Sequence, residues 1–263
     1  EKKFTKGSMS QSERNEFSRA VSRKMKAINK LMGKDEGAIF VYGPEKILSG
    51  RADKAAAYIK KFSRKFKSKH LFITGSFLYS NSYNDIDLFV VTKYSKDDYQ
   101  DGKFHINYMA EDIYTSIFFA SAKRLCVSNM EIKAGEVKEH AAIDTFISLY
   151  QELFNDIDHK FKGVRSTLRE FLLQADFIMG APLPDSCELN NIVSSVMRLK
   201  NKKEIIKRIF VEAVILGVKP KNAVSEMNGM INSYKKLIKD YPVHKDYYAE
   251  LIGAFEEVIA VGN

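Results

Sequence analysis

The sequence predicts an α/β (α+β) module followed by an all-α helical bundle. Between positions 38 and 109, short strand-like runs with apolar residues on alternate positions are interrupted by one helical stretch. Past about residue 139 the apolar period becomes 3.6 and stays so to the end of the chain. The change falls in an irregular stretch, SNMEIKAGEVKEH, whose 128–138 portion is the expected boundary. This divides the chain into a first domain over 10–130 and a helical domain over 139–263. No internal repeat, low-complexity tract or disordered linker is visible in either part.

Residues 10–32 place Phe17, Val21, Met25, Ile28 and Met32 on one helical stripe. Arg14, Arg19, Arg23, Lys24, Lys26 and Lys30 cover the rest, as the solvated face of a docking helix or as a contact for nucleic acid. Gly33 and Gly37 bracket a turn, and AIFVYG at 38–43 reads as a short strand ended by Pro44. A helix from about Arg51 to Lys67 buries Ala55, Tyr58, Ile59, Phe62 and Phe66 and turns a lysine-rich face outward. The apolar runs 71–74 and 86–91 are the central strands, joined by the polar loop FLYSNSYN. The charged turn TKYSKDDYQDGK leads to a strand at 104–109 with His105, Asn107 and Met109 on one face. A helix is then expected from Glu111 to about Leu125.

The second half reads as about five helices. They cover 139–160, 164–179, 187–216 (one long or two short), 222–239 and 244–260, with the break APLPDSC before the third. Arg198, Lys200, Lys202, Lys203, Lys207 and Arg208 form a basic cluster there, either plain solvated surface or a grip on phosphates. Arg165 and Arg169, one helical turn apart, can reach a cleft if the bundle closes over the sheet. His140, His159 and His244 are isolated and read as structural or exposed.

Composition narrows the class. Of 263 residues, 45% are hydrophobic, enough for a full core, and no apolar run reaches the 18 residues of a membrane-spanning helix. The opening EKKFTKGSMS lacks the apolar core of a signal peptide. Gly7-Ser8-Met9 reads as a cloning remnant ahead of a native Met9, so 1–9 carry no fold prediction. Cys126 and Cys187 are far apart and without partners at metal-ligand spacing, which suits a reducing, cytoplasmic setting and argues against zinc. Forty-two basic against 33 acidic residues give a net charge of +9, which favours a polyanionic partner.

The chemistry concentrates at 71–91, LFITGSFLYSNSYNDIDLFVV. In a strand, residues two apart share a face, so Asp85 and Asp87 project together while Ile86 and Leu88 point the other way. Two adjacent carboxylates in an apolar strand repel unless a cation lies between them. Mg2+ is usually held by one or two carboxylates together with substrate phosphates. Upstream, Gly75 lets backbone N–H groups approach a phosphate and Ser76 adds a hydroxyl donor.

Strand-Gly-Ser, a short loop, then Asp-apolar-Asp-apolar resembles the signature of the nucleotidyltransferase superfamily that includes DNA polymerase beta. The likeness is carried by about 20 residues and extends loosely over 38–127. It implies a palm with a mixed sheet, in which Asp85 and Asp87 bind Mg2+ or Mn2+ and Gly75 and Ser76 hold the triphosphate of an NTP. The reaction implied is transfer of an NMP to an acceptor hydroxyl. RNA, tRNA above all, suits the charge and the bundle. Members of the superfamily also modify protein hydroxyls, as toxins do, or antibiotics, which adds an antitoxin protein to the implied partners. The loop of eight residues, Phe77 to Asn84, is shorter than is usual, Tyr79-Ser80 replaces a basic-glycine step, and Asn84 stands before the first metal ligand.

In that superfamily a third carboxylate sits on the neighbouring strand, and by position Asn107 occupies its place here. An amide oxygen ligates metal weakly and accepts no proton from an attacking hydroxyl. Three readings stay open: Glu111 or Asp112 supplies the third carboxylate; His105 acts as base; or the chain binds nucleotide with weak or no catalysis. Glu111 and Asp112 also fit the opening of a helix, where acids complement the macrodipole.

Overall fold

Six strands form one mixed sheet in the order β1-β6-β2-β3-β5-β4 in the computed structural model. They are β1 (Phe40–Tyr42), β2 (His70–Thr74), β3 (Ile86–Thr92), β4 (Tyr99–Asp101), β5 (Phe104–Ala110) and β6 (Cys126–Ser128). The structure describes residues 38–66, 69–94, 96–132, 137, 143–159, 161, 163–217 and 220–262, with scattered positions between 10 and 24. Met25, Ile28 and Met32 of the expected first stripe, and His140, lie outside the described residues, as do the side chains of His159 and His244. Most of the described residues are helical, and the chain is a mixed α/β protein.

All sheet pairings are antiparallel except that of β3 with β5. Alternation sorts the central strand into two faces. Ile86, Leu88 and Val90 turn toward α1 (Arg51–Lys65) and join Ile59, Phe62, Leu71 and Ile73 in one buried layer. Asp87, Phe89 and Val91 turn the other way, where Phe72, Phe119, Ala122 and Cys126 form a second, thinner layer. The expected split of 86 and 88 from 87 is therefore present, with Ile86 at 2% and Leu88 at 0% exposure.

Local structure departs from expectation in several places. The loop after Gly75 begins with a one-turn helix, α2 (Ser76–Tyr79), in which Ser80 N–H bonds to Ser76 O at 2.8 Å. Arg51 lies over the rings of Phe77 and Tyr83, 4.9 and 4.6 Å from their centroids, and fixes the remainder of that loop. The charged turn contains an edge strand, β4, all three residues of which are exposed. Instead of one helix from Glu111 to Leu125 there is a 3-10 turn (Glu111–Thr115), then α3 (Ile117–Ala122), then strand β6. Ser116 causes the break: its side chain accepts from Phe119 N–H and so starts a new helix.

The second half supplies α4 (Ile143–His159), α5 (Val164–Ile178), α6 (Ser186–Arg198), α7 (Lys202–Gly217), α8 (Pro220–Asp240) and α9 (Lys245–Gly262). The 187–216 stretch is two short helices rather than one long one, dividing at Leu199, which turns to extended backbone, and this makes six helices among the described residues. One apolar cluster joins them, with Phe146, Phe171, Phe210 and Tyr150 stacked at its centre.

Polar contacts tie the two halves together. Asp185 caps α6, accepting from Cys187 and Glu188 N–H while Glu188 accepts from Asp185 N–H at 2.9 Å. Lys46 donates to both carboxylates, reaching Glu188 at 2.6 Å. Ser121 Oγ donates to Pro184 O at 2.6 Å, and Arg124 donates to Leu183 O. These contacts set the bundle over the Asp87 face of the sheet.

Candidate functional site

Between that face and α5 lies a cleft of about 470 Å³. Thr74, Gly75, Asp87 and Phe89 line its sheet side, and Arg169 and Glu170 its bundle side. Arg169 therefore reaches the same space as Gly75 and Asp87. Arg165, its neighbour by one turn, instead donates to Ser194 Oγ of α6 at 2.7 Å.

Gly75 is required where it stands. Its φ of 89° lies in the region that L side chains rarely adopt, and a Cβ there would sit 3.0 Å from Asp87 Oδ2. The strand thus ends in a turn whose backbone presses against the carboxylate. Thr74 anchors the same point, donating from Oγ1 to Leu125 O at 2.7 Å.

Asp85 precedes β3 and Asp87 is its second residue; both are half-buried. Burial, and then the charge of Asp85, push the Asp87 carboxyl above its ordinary range, while His105 and Asn107 act the other way. The parallel register pairs Asp87 with His105 and Phe89 with Asn107. His105 Nδ1 lies 3.5 Å from Asp87 Oδ1. Ligand atoms of Asp85, Asp87 and His105 all fall within 4.8 Å of one another, and among the described residues this is the group of that kind with metal-ligating character. The donor set fits a divalent cation: two carboxylates that repel each other, and a nitrogen that a metal accepts.

Asn107 is 7% exposed and spends a side-chain N–H on His105 O at 3.2 Å. It supports the backbone of the residue beside Asp87. Glu111 and Asp112 are at the far end of β5. That strand runs five residues from His105, beside Asp87, to Ala110, beside Thr92. At about 3.3 Å per residue, this separates them from Asp87 by roughly 16 Å. They open the 3-10 turn as exposed residues and are not part of the cluster.

Alternation in the sequence placed His105 and Asn107 on one face. Both reach the Asp87 carboxylate, and which of them stands directly opposite it depends on strand register, for which a single sequence carries no signal. The basic cluster of the second half is partly neutralised: Lys203 pairs with Glu250 at 3.0 Å and Lys207 with Glu257 at 2.7 Å. Lys202 donates to Leu199 O. Among the described residues no helix is long and apolar enough to cross a membrane. No protein-family model matches the chain, and no curated protein matches it either.

Proposed function

We propose that the protein is a metal-dependent nucleotidyltransferase that moves an NMP from a nucleoside triphosphate to an acceptor hydroxyl, with RNA as the acceptor class. The observation that carries this reading is the pairing of Asp85 with Asp87, together with the close approach of the Gly75 turn to Asp87 where Gly75 and Asp87 line a cleft. Asp85 and Asp87 would hold the divalent cation, which when bound polarises the phosphate and screens the charge that develops on it. Gly75 brings backbone close to the phosphates, where a side chain would block approach. Ser76, next in the chain, offers a hydroxyl. Arg169 faces them across the cleft with the planar donor set that suits phosphate oxygens.

The acceptor oxygen attacks the α-phosphorus in line and forms the new P–O bond. The bond from that phosphorus to the bridging oxygen of the β-phosphate breaks, pyrophosphate leaves, and the hydroxyl proton passes to water. The net charge of +9 favours an RNA acceptor, tRNA included, over a neutral one.

The test uses α-labelled triphosphates, one at a time, with total RNA or tRNA and either Mg2+ or Mn2+. Label should move to RNA with the wild-type protein and fall by roughly a thousandfold in Asp85→Ala/Asp87→Ala, since both cation ligands are lost. Triphosphate binding with no transfer to any acceptor would reduce the reading to a nucleotide-binding protein. Equal transfer by the double variant would end it.

A further inference from the structure

The third position of the cation site is the place where this chain differs from a set of three carboxylates. The parallel register sets an imidazole directly opposite Asp87, while the neutral Asn107 amide hydrogen-bonds to the same carboxylate. His105 Nδ1 and Asp87 Oδ1 are 3.5 Å apart, and both side chains remain partly exposed, at 39% and 34%, with Asp87 lining the cleft. Two neighbouring ligands of one ion, each about 2.1 Å from it, stand about 3 Å apart when at right angles. The observed spacing needs only a small closure to meet that geometry. Asn107, fastened to the His105 carbonyl, holds the strand on which the imidazole sits.

We propose that His105 is a cation ligand together with Asp85 and Asp87, and that the site therefore prefers a first-row transition cation, manganese(II) in the first instance, to Mg2+. The inference rests on the cation-site reading of the preceding section. Its physical basis is the donor set. Mg2+ demands oxygen ligands in a near-ideal octahedron and sheds water reluctantly. Imidazole nitrogen is a good ligand for the first-row transition ions, and carboxylates accept manganese as readily as magnesium. Two carboxylates and one imidazole thus leave manganese affinity high and weaken magnesium. His105 as a base for the acceptor is the competing role, and it predicts a ring nitrogen free of the metal.

Metal binding by the whole protein, without nucleotide, decides the matter. Manganese(II) alone is titrated by loss of the free-ion electron paramagnetic resonance signal, and Mg2+ is added as competitor. The expected result is manganese binding at least about tenfold tighter than magnesium, with 14N modulation in the electron spin echo of the bound ion. In His105→Gln the nitrogen modulation should vanish and the manganese preference should fall toward unity. His105→Asp should lose the nitrogen signal yet bind both cations, with preference moved toward Mg2+. This second variant retains a ligand and keeps the test informative if the glutamine variant folds poorly.

A wild-type protein that binds either cation without nitrogen modulation, or a His105→Gln variant that keeps the full preference, overturns the proposal while leaving the two-aspartate site standing. Binding of neither cation, or binding undiminished in Asp85→Asn, overturns both this proposal and the reading on which it rests. Wild-type circular dichroism and unfolding temperature in each variant confirm that the comparison is between folded proteins.

Discussion

The sheet half and the helical half of this chain are built on different terms. The bundle is held by one apolar cluster in which Phe146 and Phe171 stack at 5.0 Å and 5°, and Tyr150 and Phe210 at 4.2 Å and 14°. Its ion pairs, such as Lys203 with Glu250 and Lys207 with Glu257, are partly exposed, while Thr167 Oγ1 donates to buried Asp156 at 3.1 Å. The sheet half buries His70, Thr74, Thr92, Asn107 and Ser128 within or beside its strands. Burying such groups costs stability unless each is hydrogen-bonded, and each of these five is, so specific polar pairs hold the sheet core beside its apolar contacts. The difference teaches where the chain places such groups: His70, Thr74, Asn107 and Ser128 lie on the layer that carries Asp87 and closes the cleft, and Thr92 on the other face. The bundle forms the opposite wall and brings Arg169 to it.

The largest expected effect is in the bundle. Phe171→Ala removes a fully buried ring from the aromatic stack and should cost about 3–5 kcal/mol in urea unfolding. Transfer activity per folded molecule should stay near that of the wild type, since Phe171 does not line the cleft. A stability loss below about 1 kcal/mol would show that the bundle core is not what holds that half.

Next is the buried histidine of β2. Tyr114 donates to His70 Nδ1 at 2.7 Å, and His70 Nε2–H donates to Ser128 Oγ at 2.9 Å, because the Ser128 hydroxyl is spent on Met130 O. Burial lowers the His70 pKa to about 4. The unfolded chain therefore takes up a proton between about pH 6.5 and 4 that the folded chain refuses, and stability falls as pH drops through that window. The loss should approach about 3 kcal/mol by pH 4 and be smaller in His70→Gln. Parallel pH profiles for the two proteins would remove His70 from the acid response.

The smallest of the three tests the sheet wall of the cleft. Gly75→Ala places a methyl 3.0 Å from Asp87 Oδ2 at a φ of 89°. Displacing that carboxylate by even part of an ångström should lower transfer about a hundredfold, with a lesser change in unfolding temperature. Unchanged activity would mean that the Gly75–Asp87 approach is incidental.

Much of this was legible in the sequence. The period of two at 86–91 put Asp87 opposite Ile86 and Leu88, and the 3.6 period past 139 marked the helices to within a few residues. Both follow from local geometry, since neighbouring side chains alone decide which face they share. Three-residue strands such as β4 and β6 escaped, because they exist only through pairing with partners elsewhere in the chain. The 111–125 stretch has helical spacing throughout, yet the Ser116 cap and the pairing of Cys126–Ser128 with β1 and β2 divide it.

By itself the sequence determined that two aspartates share a face, that a glycine-serine turn precedes them, and that helices follow. Each is a statement about residues a few positions apart, where backbone geometry leaves little choice. Only the tertiary structure decided that His105 stands directly opposite Asp87, with Asn107 also within reach of its carboxylate, and that Arg169 rather than Arg165 faces them. Those facts depend on the register between strands and on the docking of one half against the other. Contacts distant in sequence fix both, and no short stretch of this chain encodes them.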